Sequence, residues 1–289
     1  MIDLHTHSTA SDGQYSPAEL VEKAYNSGVS VLALTDHDTV AGLTEAQDAA
    51  DSFGITFVPG VEINIERPGC EFHLLGLGLK NISSSLQEVL LSLQDNRGNR
   101  NLKMIELMKE AGISVSLEEV QAAFPGQVLG RPHFAAWLAE HKYVKYPQQA
   151  FDKYFARGRP CYVDKVGANL DEAVQAIYDS EGIPVIAHPL SLYLSWSKIE
   201  PVLEDFHSRG VLGLEAYHPG ARVAKCEHLE RLARKFGFFV TAGSDFHGEF
   251  VRRDRKLGHT CGNIKIDDRF WFDELKKHVD KDCDLQRLC

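Results

Sequence analysis

The stretch Val29-Ser30-Val31-Leu32-Ala33-Leu34-Thr35-Asp36-His37-Asp38 decides the fold, because an apolar run ends abruptly in acids and a histidine. A near-continuous apolar run of this length is typical of a strand buried on both faces of a parallel sheet. Seven strands are predicted in all, at 1–4, 29–34, 56–59, 72–77, 183–187, 212–215 and 238–242. Helical patterns separate most of these runs, which favours parallel βα units in an α/β protein.

Length and composition restrict the class of protein. The chain has 289 residues, of which 44% are hydrophobic, and this is enough for a packed core and excludes a disordered or fibrous protein. The sequence contains no apolar run of 18 residues, so we expect no transmembrane helix. It begins MIDLHTH, without the pattern of a signal peptide. The six cysteines form no CxxC pair, and we expect reduced thiols in a cytoplasmic protein.

The middle of the chain differs from the rest in pattern and charge. Predicted helices there cover 84–95, 99–111, 117–123, 133–141 and 148–156. Residues 80–165 hold 12 Lys and Arg against 9 Asp and Glu, a charge of +3, so the remainder of this −10 chain carries −13. We predict a barrel made of 1–80 and 166–289, with a helical insertion at 81–165 that supplies substrate phosphate contacts. A basic insertion suits a lid for an anionic substrate, although a solvated helical surface explains the charge equally well.

Histidines and carboxylates follow the ends of most predicted strands. His5 and His7 alternate in an extended segment, so both imidazoles can point to the same side. Asp12, His37, Glu62, His73, His188, Asp245 and His247 follow in comparable positions. A single histidine beside a strand is more often structural than a ligand. Because the carboxyl ends of barrel strands meet on one face, however, this set predicts a buried cluster that needs cations.

The chemistry of the predicted cluster indicates the kind of metal site. Imidazoles and carboxylates without thiolates suit Zn²⁺, Mn²⁺ or Fe²⁺. Nine potential ligands are too many for one ion, so we expect two or three. Such a site suits the hydrolysis of a phosphate ester, because metal ions acidify water and hold phosphate oxygens. The net negative charge argues against a duplex-DNA partner, which needs a broad basic face.

Six motifs in order resemble the polymerase and histidinol phosphatase (PHP) superfamily: HTHS-x3-DG (5–13), TDHD (35–38), GVEI (60–63), EFHLLG (71–76), AHP (187–189) and GSDFH (243–247). The resemblance implies a distorted (β/α)7 barrel with a di- or trinuclear metal site. It implies one ion on His5, His7, Glu62 and Asp245, a second on Glu62, His73 and His188, and a third on Asp12, His37 and His247. For Asp36 and Asp38, two roles stay open: orienting imidazoles or capping turns.

Two segments of the insertion resemble one branch of the superfamily in particular. GRPHF (130–134) and YFARGRPCYV (154–163) are similar to the branch with nucleoside 3′,5′-bisphosphate phosphatases, which also trims short 5′-phosphorylated RNA from its 5′ end. We therefore expect a phosphorylated nucleotide or a short single-stranded oligonucleotide as substrate. Candidate ligands of its second phosphate are Arg131 and His133, with Lys153, Arg157 and Arg159 behind them. Tyr154, Phe155 and Tyr162 are candidates for stacking on a base or for core packing.

The predicted metal site suggests a mechanism, and several alternative functions stay open. We expect a metal-acidified hydroxide to attack the 3′-phosphate in line, and the leaving oxygen to be stabilised by a metal ion or protonated by His188 or His218. His218 is also a candidate contact of the substrate phosphate. The alternatives are a histidinol-phosphate-type or general phosphomonoesterase, a single-strand nuclease, and a metal-dependent nucleotide-binding module without turnover. A serine hydrolase is excluded, because the sequence has no G-x-S-x-G motif.

Overall fold

A computed structural model describes residues 1–67, 69–70, 72–125 and 128–285, with side chains up to residue 280. Its main sheet has seven strands that neighbour one another in chain order: β1 (Ile2–Asp3), β2 (Val31–Leu34), β3 (Thr56–Ile65), β4 (Phe72–Leu77), β5 (Ile183–Ile186), β6 (Gly213–Tyr217) and β7 (Phe239–Ala242). A parallel bridge between Thr6 and Phe246 joins the segments that follow the first and last strands. The sheet is therefore a nearly closed barrel, which confirms the predicted α/β barrel fold.

One strand departs from the predicted parallel arrangement. β4 pairs antiparallel with β3, where Glu62 faces Leu75, and antiparallel with β5, where Leu74 faces Ile186. The physical reason lies in the connection, because 66–71 is far shorter than the dozen residues that a parallel crossover needs. As a result, the first residues of β4 lie at the same end of the barrel as the last residues of its neighbours. Glu71, the first residue of the EFHLLG motif, lies outside the described residues.

Helices follow most of the barrel strands. They are α1 (Pro17–Asn26), α2 (Leu43–Phe53), α7 (Leu170–Asp179), α8 (Trp196–Ser208), α9 (Val223–Phe236) and α10 (Lys276–Leu285), and a two-stranded ribbon pairs β8 (His259–Thr260) with β9 (Ile264–Lys265). α1 begins at a capping box, in which Ser16 accepts a hydrogen bond from the Glu19 amide and Glu19 accepts one from the Ser16 amide. Leu20 and Ala46, from α1 and α2, share a core cluster with Leu32 of β2. This packing fixes the strand that ends in Thr35-Asp36-His37-Asp38.

The chain divides into two compact units, one of residues 1–90 and 167–289 and one of 91–166. The second unit contains most of α3 (Ser84–Glu110), then α4 (Leu117–Ala123), α5 (Arg131–Glu140), α6 (Pro147–Ala150) and a π-helical turn (Phe151–Phe155). Its core includes Met104, Phe134, Trp137 and Phe155. The sequence predicted two helices where α3 is one, since the single Gly98 costs a long helix only about 1 kcal/mol and does not break it.

Two properties of the described part of the chain bear on its environment. None of its helices combines the length and the apolar character that crossing a bilayer requires. Cys70, Cys161, Cys226 and Cys261 form no disulfide with one another. Cys283 and Cys289 lie outside the side chains that the structure describes.

Candidate metal centre

The barrel places the predicted donors at one end. His5 and His7 follow β1, Glu62 lies in β3, and His188, Asp245 and His247 follow β5 and β7. His73 lies at the beginning of β4, opposite Asn64 of β3, and reaches the same end because this strand runs antiparallel. The register of the sheet thus brings together residues that are up to 242 positions apart in the sequence.

Glu62 is the centre of the cluster. Its side chain is completely buried. Burial alone raises the pKa of a carboxyl, but the imidazoles of His37 and His73 outweigh burial and hold the pKa of Glu62 well below its usual range. The two carboxylate oxygens lie 2.8–3.4 Å from ring nitrogens of five histidines: His5, His7, His37, His73 and His188. An ionised carboxylate in this position can bridge two cations.

Two further acids complete the cluster. Asp245 Oδ1 lies 3.4 Å from His7 Nε2 and 3.7 Å from His5 Nε2. Asp12 Oδ1 lies 3.4 Å from His247 Nε2 and 3.9 Å from His37 Nε2. Four groups have donor atoms within 4.8 Å of one another: His7, Asp12, His37 and His247; His5, His7 and Asp245; His5, Glu62 and His188; His37, Glu62 and His73. All nine predicted ligands are present, and their division among individual ions stays a prediction.

The hydrogen bonding of these residues fits metal ions. Among the described residues, His5 Nε2, both ring nitrogens of His7 and Glu62 Oε2 are buried without a hydrogen-bond partner. Buried polar atoms are nearly always satisfied, so several unsatisfied atoms in one place indicate a missing ligand. Burial, together with the imidazoles of His247 and His37, lowers the pKa of His7 to about 3. His7 is therefore neutral, which is the form that binds a divalent ion.

Glu215 of β6 contacts the side of the cluster away from the predicted metal ions, and it is not among the ligands predicted from the sequence. Its Oε1 lies 3.0 Å from His5 Nδ1, and its Oε2 accepts a 2.7 Å hydrogen bond from the His188 amide. A carboxylate on Nδ1 directs the other ring nitrogen of His5 towards a metal and makes it more basic. The available signal was an acid inside a strand that is otherwise apolar, Gly213–Tyr217.

The two acids with open roles, Asp36 and Asp38, both accept hydrogen bonds from backbone amides. Asp36 accepts hydrogen bonds from the Ser8 amide and hydroxyl, at 2.8 and 2.6 Å, and from the Ser11 hydroxyl at 2.5 Å. It therefore shapes the turn between His7 and Asp12, and burial raises the pKa of Asp36 to about 6. Asp38 accepts a 3.0 Å hydrogen bond from the amide of Asn64, two residues after Glu62 in β3.

Two donors lie on strained backbone. His188 has φ +26° and Asp245 has φ +51°, a region that side chains other than glycine rarely occupy. The Asp245 amide donates to the His5 carbonyl at 2.9 Å, and Asp3 accepts a 2.9 Å hydrogen bond from the Ser244 amide. These bonds hold the loop after β7 against β1. Such strain concentrates at functional sites, where the surrounding structure enforces it.

A cavity of about 290 Å³ adjoins the cluster, and Tyr193, His218, Arg252 and Arg255 are among the residues that line it. His218 Nε2 lies 3.2 Å from Asp245 Oδ2, and its Nδ1 accepts a 3.1 Å hydrogen bond from the Gly220 amide. Burial lowers the pKa of His218, so the ring is neutral with its proton on Nε2. No signal in the sequence distinguishes Tyr193, Arg252 or Arg255 from their neighbours, because loop positions carry no periodic pattern.

The predicted phosphate ligands of the insertion lie in the second unit. Arg131 donates to the Val163 carbonyl at 2.7 Å, and its guanidinium lies 4.9 Å from the Tyr162 ring centre. His133 is buried, and its Nδ1 accepts a 2.8 Å hydrogen bond from the Gly130 amide at the start of α5. Phe155 is buried in the core of the unit, so stacking on a base is excluded for it. Lys153, Arg157 and Arg159 are exposed, and the substrate roles of all five basic residues stay predictions.

Fold and cluster together define a class of protein. A barrel with imidazoles and carboxylates at the ends of its strands, several of them unsatisfied, is typical of hydrolases that activate water with divalent ions. The model of the PHP domain matches residues 3–160, which is more than half of the chain. The chain belongs to the PHP domain family, and within its class it is a metal-dependent hydrolase of phosphoric esters.

Relatives cover nearly the whole chain. It is 36% identical over 245 residues to a 5′-3′ exoribonuclease of Haemophilus influenzae, which covers 85% of this chain and 89% of the relative. It is 34% identical over 260 residues to a 3′,5′-nucleoside bisphosphate phosphatase of Chromobacterium violaceum, covering 90% and 91%. A solved Chromobacterium violaceum amidohydrolase with bound sulfate and no metal superposes with a TM-score of 0.82 at 33% identity, over 90% of each chain.

Proposed function

We propose that the chain removes the 3′-phosphate of nucleoside 3′,5′-bisphosphates, converting pAp to AMP and phosphate. The observation that carries the proposal is the buried cluster of nine imidazole and carboxylate donors beside a cavity lined by two arginines. At about 290 Å³, the cavity is at the small end of sites for small molecules. The printed activity of the Chromobacterium violaceum relative supports the same substrate class.

The cluster would hold two or three divalent ions, with Mn²⁺, Zn²⁺ and Fe²⁺ as the candidates. When bound, they lower the pKa of the attacking water and offset the charge on the phosphate oxygens. Glu62 would bridge two of them, while His5 and His7 offer their unsatisfied nitrogens. Glu215 keeps the His5 ring in position through its Nδ1 contact.

His218 is the better candidate for the group that assists the leaving oxygen. The Gly220 amide occupies its Nδ1, which leaves the ring proton on Nε2, and this nitrogen faces Asp245 at the cavity. The Nε2–H group would donate a hydrogen bond to the leaving oxygen as negative charge develops on it. His188 was the other candidate. Its Nε2 lies 2.9 Å from Glu62 Oε1, inside one of the donor groups, and a nitrogen that binds an ion cannot deliver a proton.

Leaving-group dependence tests the role of His218. The ribose 3′-oxygen is a poor leaving group whose developing charge needs a hydrogen-bond donor, whereas p-nitrophenolate leaves without one. We expect His218→Ala to lower kcat for pAp by about 10²-fold, in the usual range for a lost donor to transition-state charge, and to lower kcat for p-nitrophenyl phosphate much less. An equal loss on both substrates, or a loss of metal from the variant, would assign His218 another role.

A second candidate activity is the removal of nucleotides from the 5′ end of short 5′-phosphorylated RNA. It is favoured by the Haemophilus influenzae relative, whose printed activity is 5′-3′ exoribonuclease. The chemistry is the same, because in both reactions water attacks the phosphorus on the 3′-oxygen of a 5′-nucleotide and that nucleotide leaves. The phosphorus ends as inorganic phosphate in the first reaction and as the 5′-phosphate of the shortened RNA in the second. In both activities the insertion would bind the 5′-phosphate, with Arg131 as the first ligand and Lys153, Arg157 and Arg159 as supporting charges. We place either activity in the cytoplasm, in keeping with the scattered cysteines.

One experiment separates these activities. Purified protein with Mn²⁺ is given pAp, 3′-AMP and 5′-phosphorylated oligoribonucleotides of two to six residues, and the metal content of the same sample is measured. We expect faster phosphate release from pAp than from 3′-AMP. Equal rates would overturn the 5′-phosphate clamp, and faster cleavage of oligomers than of pAp would establish the nuclease as the main activity. A broad panel of phosphomonoesters tests the histidinol-phosphate-type alternative, and zero turnover with every metal would indicate a nucleotide-binding module.

A further inference from the structure

Arg255 is a buried cation whose charge the barrel does not fully neutralise. Its side chain is 5% exposed. Its Nε is buried without a hydrogen-bond partner among the described residues, 3.7 Å from Asp245 Oδ2. Its Nη1 pairs at 3.0 Å with Asp254, a carboxylate that is largely exposed to solvent. A buried charge is costly unless it is paired and hydrogen-bonded, so this unsatisfied donor at the cavity needs an explanation.

Arg252 brings a second guanidinium to the same cavity. It donates from Nη1 to Asp245 Oδ2 at 3.0 Å, and its side chain remains 39% exposed. Both arginines lie in the loop that follows the GSDFH segment. Two forked donors in one cavity match the oxygens of a phosphate, which guanidinium groups bind bidentately.

The carboxylate of Asp245 lies close to more cationic and hydrogen-bond-donating groups than its single negative charge can balance. Asp245 Oδ2 faces Arg252, Arg255 and His218, while Oδ1 faces the imidazoles of His5 and His7. If Asp245 also binds a metal ion, its single charge cannot balance two guanidinium groups as well. The other acid near both guanidinium groups is Asp254, which lies 4.0 Å from Arg252 Nε and 3.0 Å from Arg255 Nη1 but is 66% exposed to solvent. An anion in the cavity would therefore complete the pairing of the two guanidinium groups.

We propose that Arg252 and Arg255 form an anion subsite for the reacting phosphoryl group, binding the oxygens that the metal ions do not hold. This inference rests on the proposed function, since it assumes phosphoester chemistry at the cluster. Both guanidinium groups lie within 3.7 Å of one oxygen of Asp245, and the other oxygen of Asp245 faces the donor nitrogens. A phosphate at the cluster is therefore within reach of both arginines.

The proposal assigns the two ends of a bisphosphate to different residues. The barrel arginines bind the phosphate that reacts, and the insertion binds the 5′-phosphate that stays. Loss of a barrel arginine should therefore slow all phosphomonoesters alike, because every substrate presents the reacting group.

The variants are Arg252→Ala, Arg255→Lys and the control Arg253→Ala, an exposed arginine between the two. The measurements are kcat/KM for pAp and for 3′-AMP, the inhibition constant of inorganic phosphate, and metal content. We expect Arg252→Ala and Arg255→Lys to lower kcat/KM on the order of 10²-fold for both substrates, as the loss of a donor to transition-state charge usually does. Inorganic phosphate should inhibit about tenfold less well, at unchanged metal content. Arg253→Ala should match the parent.

Two outcomes would overturn the proposal. A loss confined to pAp would mean that these arginines bind the 5′-phosphate instead. A loss of metal with unchanged phosphate inhibition would mean that they only position Asp245. Because Arg255 is buried, its variant is compared only if its thermal unfolding resembles that of the parent, and the half-exposed Arg252 carries the test otherwise.

Failure of the proposed function can be told apart from failure of this inference. If pAp is not hydrolysed, the variants are compared on p-nitrophenyl phosphate. If no ester is hydrolysed, calorimetric titration of inorganic phosphate into the metal-loaded protein decides. Binding that weakens in Arg252→Ala and not in Arg253→Ala supports the subsite, and binding equal in all variants overturns it.

Discussion

The metal-ligand candidates at the barrel end and the basic residues of the insertion differ in the contacts that they make within the fold. At the barrel end, His5, His7 and Glu62 keep buried atoms without a hydrogen-bond partner in the part of the chain that the structure describes. In the insertion, Arg131 Nε is also buried without such a partner, but the same guanidinium donates to a backbone carbonyl, and His133 caps a helix. The barrel donors are held in place but keep unsatisfied hydrogen-bonding atoms, whereas Arg131 and His133 already make contacts that stabilise the insertion.

This difference shows how residues of the same type can be ranked as functional candidates. A side chain that satisfies its own neighbours is explained by the fold, while a buried atom left unsatisfied costs free energy and needs a ligand. The carboxylates follow the same distinction. Asp36 accepts hydrogen bonds from Ser8 and Ser11, whereas Glu62 Oε2 has imidazoles nearby but no hydrogen-bond partner among the residues that the structure describes.

The largest expected effect is at Glu62. Glu62→Gln keeps the shape of the side chain but removes the charge that would bridge two ions. We expect a loss of phosphoesterase activity on the order of 10³-fold or more, since metal ions contribute several kcal/mol to such reactions. Metal content should fall by at least one ion per chain. The control is Glu66→Gln, an exposed acid just after the same strand. If Glu62→Gln kept both its metal and its activity, the unsatisfied donors at the barrel end would not be the functional ones.

Glu215→Gln tests whether a supporting carboxylate matters as the comparison implies. Without the charge on Nδ1, the His5 ring loses orientation and basicity, and metal affinity should fall about 10–100-fold. Titration of Mn²⁺ into the metal-free protein measures this directly. Excess Mn²⁺ should restore much of the activity, which would not happen if Glu215 took part in the reaction itself. Glu227→Gln on the exposed side of α9 should bind Mn²⁺ like the parent.

Arg131 tests the other side of the comparison. Arg131→Ala should raise KM for pAp about tenfold if the guanidinium binds the 5′-phosphate, and should leave 3′-AMP unaffected. Because Arg131 also contacts Val163 and Tyr162, the unfolding of each variant is followed by circular dichroism. Replacing the exposed Lys153, Arg157 and Arg159 together by Ala should raise KM only about threefold, since solvent screens their charges. A fall in stability without a change in KM would make Arg131 purely structural.

Much of the barrel and its donor set could be predicted from the sequence, for physical reasons. A strand buried on both faces reads as an apolar run, and a donor that follows it is visible as a change from apolar to polar, as in Leu34-Thr35-Asp36-His37. The reversed β4 was missed because apolar runs carry no direction. Only the short connection at 66–71 held that information.

The supporting and lining residues were harder to predict. Glu215 is one acid within a strand, and its contact with His5 spans 210 positions of sequence. Arg252 and Arg255 sit among other charged residues of one loop, and only the structure separates the buried Arg255 from the exposed Arg253. The local sequence pattern indicates which face of a helix or strand is buried. Contacts between side chains of distant loops are fixed only when the whole chain has folded.

The smallest expected effect concerns Glu230, a carboxylate satisfied by protein groups alone. It accepts hydrogen bonds from Arg269 at 3.0 and 3.1 Å and from the Tyr217 hydroxyl at 2.7 Å. The hydrogen bonds from Arg269 are the main reason why the pKa of Glu230 falls to about 2. Because the folded state favours the ionised form, this contribution to stability is complete above the unfolded pKa of 4.5 and is lost as the pH falls towards 2.

Glu230→Gln should therefore lower the free energy of unfolding by about 2 kcal/mol at pH 7, and the difference from the parent should shrink below about pH 4.5. Urea unfolding of the metal-free proteins between pH 7 and 3.5 measures it, with the exposed Glu204→Gln as control. Metal ions should change the Glu230 difference little, because Arg269 and Tyr217 already satisfy this carboxylate. The Glu62→Gln difference should depend strongly on metal, since Glu62 has no such partner for Oε2 among the described residues. If added Mn²⁺ shifted both differences equally, the distinction between satisfied and unsatisfied acids would fail.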